Sequence, residues 1–272
     1  MSKFVRVYFP FMSNELKRNM AYKGAFYLFM VCSLFSSFIN YYLWMAIYGS
    51  SGAGSLGGLS KQEMVIYVFM SYITSNVAMI SISRDLGKDV VKGNIAMNLI
   101  KPMDYRLSLI ARAMGTMLYR FFMPCIVVWI ALEIYKAVVL GTGMTPVVNM
   151  VLYLVSMLFS FWIYVLFDFC FGMIAFFTTY IFGLQMAKEA LMSFLTGQLI
   201  PLSFFPGVVQ GIFDFLPFSS MVYTPVMIYL GKYDAGQVCF VMGRQLVWIV
   251  ILYALGSLIW KQVTKRLVVL GG

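Results

Sequence analysis

Few side chains in this chain are equipped for covalent chemistry. There is no histidine, and only 10 Asp and Glu are spread over 272 residues. Histidine-based triads, histidine zinc sites and histidine proton relays are therefore excluded. No GxxxxGK[ST] run is present, so the chain does not hold ATP in a Walker A loop. GxSxG and HExxH are absent as well. Cys32, Cys125, Cys170 and Cys239 stand singly in apolar stretches without CxxC spacing and read as small buried hydrophobes. Two ionisable residues lie deep in apolar runs: Arg120, and Asp168, the only carboxylate so placed. Such groups are costly in a membrane and mark either a functional site or an internal pair. Arg120 and Asp168 are a candidate buried pair, with Arg112 as an alternative partner. Their role is either gating and relay or structural. Glu133 reads as a satisfied group near the outer end of its run.

Another constellation is mechanical. Residues 83–106 read SRDLGKDVVKGNIAMNLIKPMDYR. Arg84, Lys88, Lys92, Lys101 and Arg106 alternate with Asp85, Asp89 and Asp104, while Leu86, Val90, Val91, Ile95, Leu99 and Ile100 recur at roughly helical intervals. The pattern predicts short amphipathic helices jointed at Gly87 and Gly93 and stopped at Pro102. Such helices either dock a cytoplasmic partner or rest on lipid headgroups.

The elements that must position these residues are membrane spans. The chain is 62% hydrophobic and 11% charged, against about 45–50% and 25% in soluble proteins. That excludes an ordinary soluble domain, and disorder with it. About 20 apolar residues cross a bilayer, and six spans are expected, at about 24–48, 63–83, 109–139, 147–184, from 190, and 238–260. Ser60 and Glu63 form a capping-box pattern at the second. The fourth is too long for one straight helix, with Asp168 near its middle and Gly172 as a joint. Lys188 and Glu189 mark a cytoplasmic turn before the fifth. Pro201, Pro206, Pro217 and Pro225 break residues 197–234 into short helices folding back into the outer leaflet. The aromatic residues there, Phe204, Phe205, Phe213, Phe215, Phe218 and Tyr223, line an amphiphile cleft or form an interface belt. Residues 1–23 mix cations with aromatics unlike a cleaved signal peptide, and are expected to form an interfacial segment that Pro10 breaks or starts.

The net charge of +10 follows from orientation, not from nucleic-acid binding. Lys3, Arg6, Lys17, Arg18, Lys23, the cations of 84–106, Lys188, Lys261, Lys265 and Arg266 fall on one side. Lys61, Lys136 and Lys232 fall opposite. Both termini are therefore expected in the cytoplasm.

The stretch from Ile82 to Arg106 resembles the cytoplasmic segment of permeases of the ABC-2 type exporter superfamily, closest to bacterial uncharacterised ABC-2 transport-system permeases. The match includes Gly93, Asn94, Ile95, Leu99, Lys101, Pro102 and Tyr105. A second match lies in Gly197 to Gly231, through Ile200-Pro201-Leu202, Phe205-Pro206, Leu216-Pro217-Phe218, Pro225 and Leu230-Gly231. The resemblance implies an all-α integral membrane protein, type V exporter-like. It would form a single permease domain over 1–272, with an interfacial connecting helix at 1–23, spans 1–2 at 24–83 and a coupling segment at 84–106. Spans 3–5 at 107–200, outer re-entrant helices at 201–234, and span 6 with a basic tail at 235–272 complete the expected layout. It also implies two cytoplasmic ABC ATPase subunits carrying ATP and Mg, since this chain binds no cofactor and is not catalytic by itself. A second permease subunit completes the assembly in membrane lipid, a heterodimer being favoured over a homodimer, with no nucleic acid. The expected location is the bacterial cytoplasmic membrane, and the expected activity is outward movement of a lipid, peptide, glycan or drug. The charged face of Arg84, Asp85, Lys88, Asp89 and Lys92 would meet the ATPase, while Leu86, Val90, Val91, Ile95 and Leu99 pack on the membrane helices. The absence of buried ions in spans one, two and five favours an amphiphilic or apolar cargo. An ion-coupled transporter or channel using Arg120 and Asp168, or a non-transporting scaffold, are the alternatives.

Overall fold

The computed structural model describes residues 3–21, 23–52, 54–178 and 181–270. The side chains of Lys3, Lys23 and Arg266 lie outside the described residues. Apart from a minimal hairpin, Ser55–Leu56 paired antiparallel with Leu59–Ser60, the described elements are helical.

Helix α1 (Lys3–Ala21) lies along α6 (Tyr105–Arg120). Gly115 allows the approach, because a Cβ there would sit 2.4 Å from the Met12 carbonyl oxygen. The Arg112 guanidinium lies 5.7 Å over the Phe11 ring. α1 runs through Pro10 instead of breaking there. Its packing along α6 overrides the local preference of proline.

Helix α2 (Lys23–Ser51) exposes Val31, Phe35, Ile39, Tyr42 and Leu43, as an apolar helix does when hydrocarbon or another subunit covers it. Helix α3 (Lys61–Ala78) is the centre of the core, with 13 of its 18 residues buried. Its start is fixed as the sequence predicts. Glu63 N donates to Ser60 Oγ at 3.3 Å, and Ser60 N donates to Glu63 Oε2 at 2.8 Å.

Helices α4 (Ser83–Val91) and α5 (Asn94–Ile100) form the jointed segment. Gly93 is the joint, at φ +73°, a conformation glycine adopts without steric cost. Gly87 is not a joint. It lies inside α4, where a Cβ would meet Ile181 Cδ1 at 2.9 Å. The third crossing follows α6 through a π-helical turn at Phe121–Cys125, α7 (Ile126–Tyr135) and a second π-turn at Lys136–Leu140. Pro124 sits in the first turn, whose wider winding accommodates its missing N–H. Helix α8 (Val147–Gly172) gives way at Gly172 to a 3₁₀ turn, Met173–Phe176, the joint the sequence predicts.

Five helical stretches among the described residues are long and apolar enough to cross a membrane: Met30–Ser51, Lys61–Val91, Tyr105–Leu140, Val147–Phe176 and Ala235–Lys265. The sequence predicts six, and the fifth is the one that differs. Helix α9 (Phe182–Leu195) has 14 residues. At 1.5 Å per residue it spans about 21 Å, short of a hydrocarbon core of about 30 Å. It also starts before Ala190, so Lys188 and Glu189 are helical and do not form a turn. After it come a 3₁₀ turn at Leu202–Phe204, α10 (Gly207–Phe215), α11 (Tyr223–Tyr229) and α12 (Ala235–Leu270). Pro201 and Pro206 stand immediately before the 3₁₀ turn and α10. Tyr67 Oη donates to the Gly197 carbonyl at 2.5 Å and Tyr223 N to the Thr196 carbonyl at 3.1 Å, which fixes this broken region to α3.

Candidate functional site at the basic end of the bundle

The ends of α4, α5, α6, α9 and α12 meet at one pole. Tyr105, at the start of α6, stacks on Trp260 of α12 at 6.0 Å, and the Tyr8 hydroxyl of α1 accepts from Asp104 N at 3.0 Å. Asp104 caps α6, accepting from Arg106 N at 2.9 Å and pairing with Arg106 Nη2 at 2.7 Å. Burial acts upward on the Asp104 carboxyl, but the bonds and charge of Arg106 outweigh it and hold the group below its ordinary range. Burial pushes the Glu15 carboxyl of α1 upward despite its 2.5 Å pair with Arg18.

The α4–α5 segment has two distinct faces. Leu86 and Ile95 are buried and Val90 is half-buried, but Val91 and Leu99 are exposed, against expectation. Met97 and Ile100, three residues apart on α5, are strongly exposed as well. Lys92 and Lys101 are exposed on the same segment. Two residues expected on a free charged face are engaged internally. Asp89 accepts from Tyr105 Oη at 2.7 Å and from Asn98 Nδ2 at 3.0 Å, joining α4 to α6 and α5. Arg84 pairs with Glu189 of α9 at 2.8 Å. Asp85 is half-buried.

Arg120 and Asp168 are not partners. Arg120 Nη1 donates to the Asn76 carbonyl at 3.0 Å, and its Nε is buried without a partner. Asp168 lies near the end of α8, not in the middle of the run. Its Oδ2 accepts from Ser83 N at 2.7 Å and its Oδ1 from Ser83 Oγ at 2.9 Å. Lys188 Nζ of α9 donates to the same Oδ1 and to Ser83 Oγ at 3.1 Å. The ammonium also lies 5.1 Å from the Phe171 ring centroid, a cation–π arrangement. Arg120 comes from α6 and stops at α3, whereas Lys188 comes from the helix adjoining Asp168. The cluster sits where α4 begins, and a Cβ on Gly172 would press on Ser83 Cα at 2.9 Å. Lys188, Ser83, Tyr105 and Glu189 are the residues that sequence reasoning missed. Gln185, Lys188 and Met192, the buried residues of α9, recur at helical spacing, and that stripe marks Lys188 as inward-facing. Lys188 is thus a buried cation on α9, two residues ahead of Ala190, where the fifth span is expected to begin.

At the opposite pole Pro201 and Pro217 are buried, Phe205 and Phe218 half-buried, and Pro206 exposed. Phe205 meets Phe213 at 5.4 Å and Phe218 meets Phe167 at 5.6 Å. Glu133 is satisfied, as expected, by Thr145 N at 3.1 Å, Thr145 Oγ1 at 2.7 Å, Lys136 and Tyr229. Cys125 is buried, but Cys32 and Cys239 are exposed on apolar helices.

Five long apolar helical stretches among the described residues define a multi-span membrane protein, with a broken region after α9 and a jointed, partly apolar segment at the basic pole. Residues 26–271 match the family described as ABC-2 family transporter protein, and the chain belongs to it. No curated protein matches the chain. It is a membrane transport protein of the ABC-2 permease type, and membership implies pairing with an ABC ATPase subunit.

Proposed function

We propose that the chain is the permease subunit of an ATP-driven exporter and that α4–α5 is the lever its ATPase moves. The carrying observation is the outer face of this segment. Val91, Met97, Leu99 and Ile100 are all exposed on this short segment, as are Lys92 and Lys101, while its inner face is joined to α6 and α8 through Asp89 and Ser83. Exposed apolar side chains with cations on the same segment are what a protein groove accepts. On this reading Lys92 is the cation of the expected charged face that meets the ATPase, since Arg84 and Asp89 are engaged within the chain and Asp85 and Lys88 line the cavity between the helices.

Two ATPase subunits supply ATP and Mg, and a second permease, preferably a different one, covers the exposed helices. On this reading both termini lie in the cytoplasm of a bacterium, an orientation that the cation excess on their side of the sequence supports. The short helices at Pro201–Leu230 cap the outer end, and the cargo is an amphiphile moved outward. The ion-coupled alternative loses its main support because Asp168 is enclosed by Ser83 and Lys188.

The test is co-purification with the ATPase that assembles with this chain. Met97→Asp and Ile100→Asp each place a charge among these exposed apolar residues, and each is expected to weaken ATPase retention at least about tenfold, the scale of an interface hot spot. Insertion and monodispersity stay unchanged. Full retention with both variants would overturn the assignment.

A further inference from the structure

We propose that the chain holds the phosphate headgroup of an anionic membrane lipid in a cavity at the basic pole. The proposal rests on the multi-span membrane class, not on the exporter reading. A cavity of about 530 Å³ opens between α1, α2, α3, α4, α6 and α9, within the usual range of about 300–1,000 Å³ for ligand sites. Its lining is polar for so apolar a chain, with Ser33, Ser75, Asn76, Thr116 and Gln198 among the neutral groups.

The charges on the lining do not balance. Two cations are matched, Arg18 by Glu15 at 2.5 Å and Arg84 by Glu189 at 2.8 Å. That leaves Lys88, Arg112 and Arg120 facing Asp85 alone. None of those three cations forms an ion pair among the described residues. Arg120 carries the buried, unpartnered Nε and reaches only one backbone carbonyl with Nη1. In a membrane such a charge calls for compensation. Since protein does not supply it here, an anion does.

The spacing shows what kind of anion fits. Arg112, Thr116 and Arg120 recur every four residues on α6, so they share one face, with the two arginines about 12 Å apart along the axis. That places one guanidinium nearer the headgroup level and one deeper in the bundle. Guanidinium forks match phosphate oxygens in pairs. The helices that border the cavity expose Val31 and Phe35 of α2 and Leu191 of α9, an apolar surface for acyl chains that a soluble phosphate compound does not need. The positive excess disfavours a cationic ligand.

The experiment uses the full chain in lipid nanodiscs or mild detergent. Wild type, Arg112→Gln, Arg120→Gln, Arg120→Lys and Lys261→Gln are compared for bound phosphatidylglycerol and phosphatidylethanolamine by native mass spectrometry. Lys261 is an exposed cation outside the cavity and controls for general surface attraction. Wild type should retain phosphatidylglycerol selectively. Arg120→Gln should lower that retention about tenfold, as expected for loss of a charge-assisted bond. Arg120→Lys should recover part of it, and Lys261→Gln should match wild type. Equal retention by wild type and both Gln variants would overturn the proposal. If Arg120→Gln does not fold, wild type decides alone: the proposal falls if phosphatidylglycerol stabilises it no more than phosphatidylethanolamine does. Arginine-dependent binding of inorganic phosphate without selective lipid retention would also overturn it, in favour of a soluble ligand. None of these readouts involves the ATPase, so failure of the exporter reading would be seen separately.

Discussion

Replacing Lys188 by methionine removes the ammonium from the Asp168 cluster while keeping most of the side-chain volume. Both partners are out of contact with solvent, with side chains 3% and 0% exposed. Breaking a buried pair by removing one partner costs about 3–5 kcal/mol, because the other charge stays buried. The two single variants should not be equal. In Lys188→Met, Asp168 keeps two donors, Ser83 N and Oγ, so the loss should lie near about 3 kcal/mol. In Asp168→Asn, Lys188 keeps the Ser83 hydroxyl and the Phe171 ring but no anion, and the loss should approach about 5 kcal/mol. Asp168→Asn/Lys188→Met removes both charges. The Asn carbonyl can still accept from Ser83 N, so stability should return to within about 1–2 kcal/mol of wild type. Unfolding in a mixed-micelle denaturant titration across all four proteins gives the coupling energy, the two single losses less that of the double variant, expected at about 6 kcal/mol from these figures. Single effects that add to within about 0.5 kcal/mol would refute the argument, since the two groups would then not be holding each other.

Gly115→Ala should displace α1 from α6, because the added methyl would lie 2.4 Å from the Met12 carbonyl. The loss should be about 1–3 kcal/mol, read as faster limited proteolysis within residues 3–21, and unchanged cleavage would count against the packing. Asp104→Ala removes the cap of α6 and should lower stability by about 1 kcal/mol near neutral pH. The fold holds the Asp104 carboxyl below its ordinary value, so its contribution is present above about pH 3.9 and is lost as pH falls through the lower folded value. The gap between wild type and variant in a pH series of melting curves should therefore close on acidification, and a gap that widens would show the sign to be wrong.

The membrane class, the capping box at Ser60, the joints at Gly93 and Gly172 and the stop at Pro102 were legible because each is a local signal. The partner of Asp168 was not, because pairing depends on which helices meet. Arg120 is nearer the middle of a span, yet α6 delivers it to Asn76 of α3. Lys188 resembles a turn residue because Glu189 follows it, although only the lysine faces inward. The two faces of the 84–106 segment were readable as a pattern, but not which apolar residues turn outward. The backbone turns left-handed at Gly93, and helical periodicity does not carry across that joint. The expected fifth span has no span-length helix for a related reason. A helix of 14 residues followed by short pieces leaves no span-length periodic run.

The two polar systems at the basic pole are linked by α4. Ser83 at its first turn is fixed to α8 and α9 through Asp168 and Lys188, and Asp89 one face on is fixed to α6 through Tyr105. The same helix places Arg84, Asp85 and Lys88 on the wall of the cavity. On the proposed reading, a push delivered to Met97 and Ile100 reaches α4 across the Gly93 joint. It then has two possible results. If the Ser83 and Asp89 anchors hold, α4 moves with α6, α8 and α9, and the cavity is displaced as a unit. If the exposed Arg84–Glu189 pair yields while the Ser83 and Asp89 anchors hold, the Arg84 side chain alone swings free of α9 and the cation balance of the cavity changes, releasing Arg84 towards an anion. The pair is 56% and 46% exposed, and exposed pairs contribute about 0–1 kcal/mol, whereas the buried anchors cost several to break. The second movement is the cheaper one. Lever and lipid site would then share one element, so that force on the segment alters how tightly a phosphate is held.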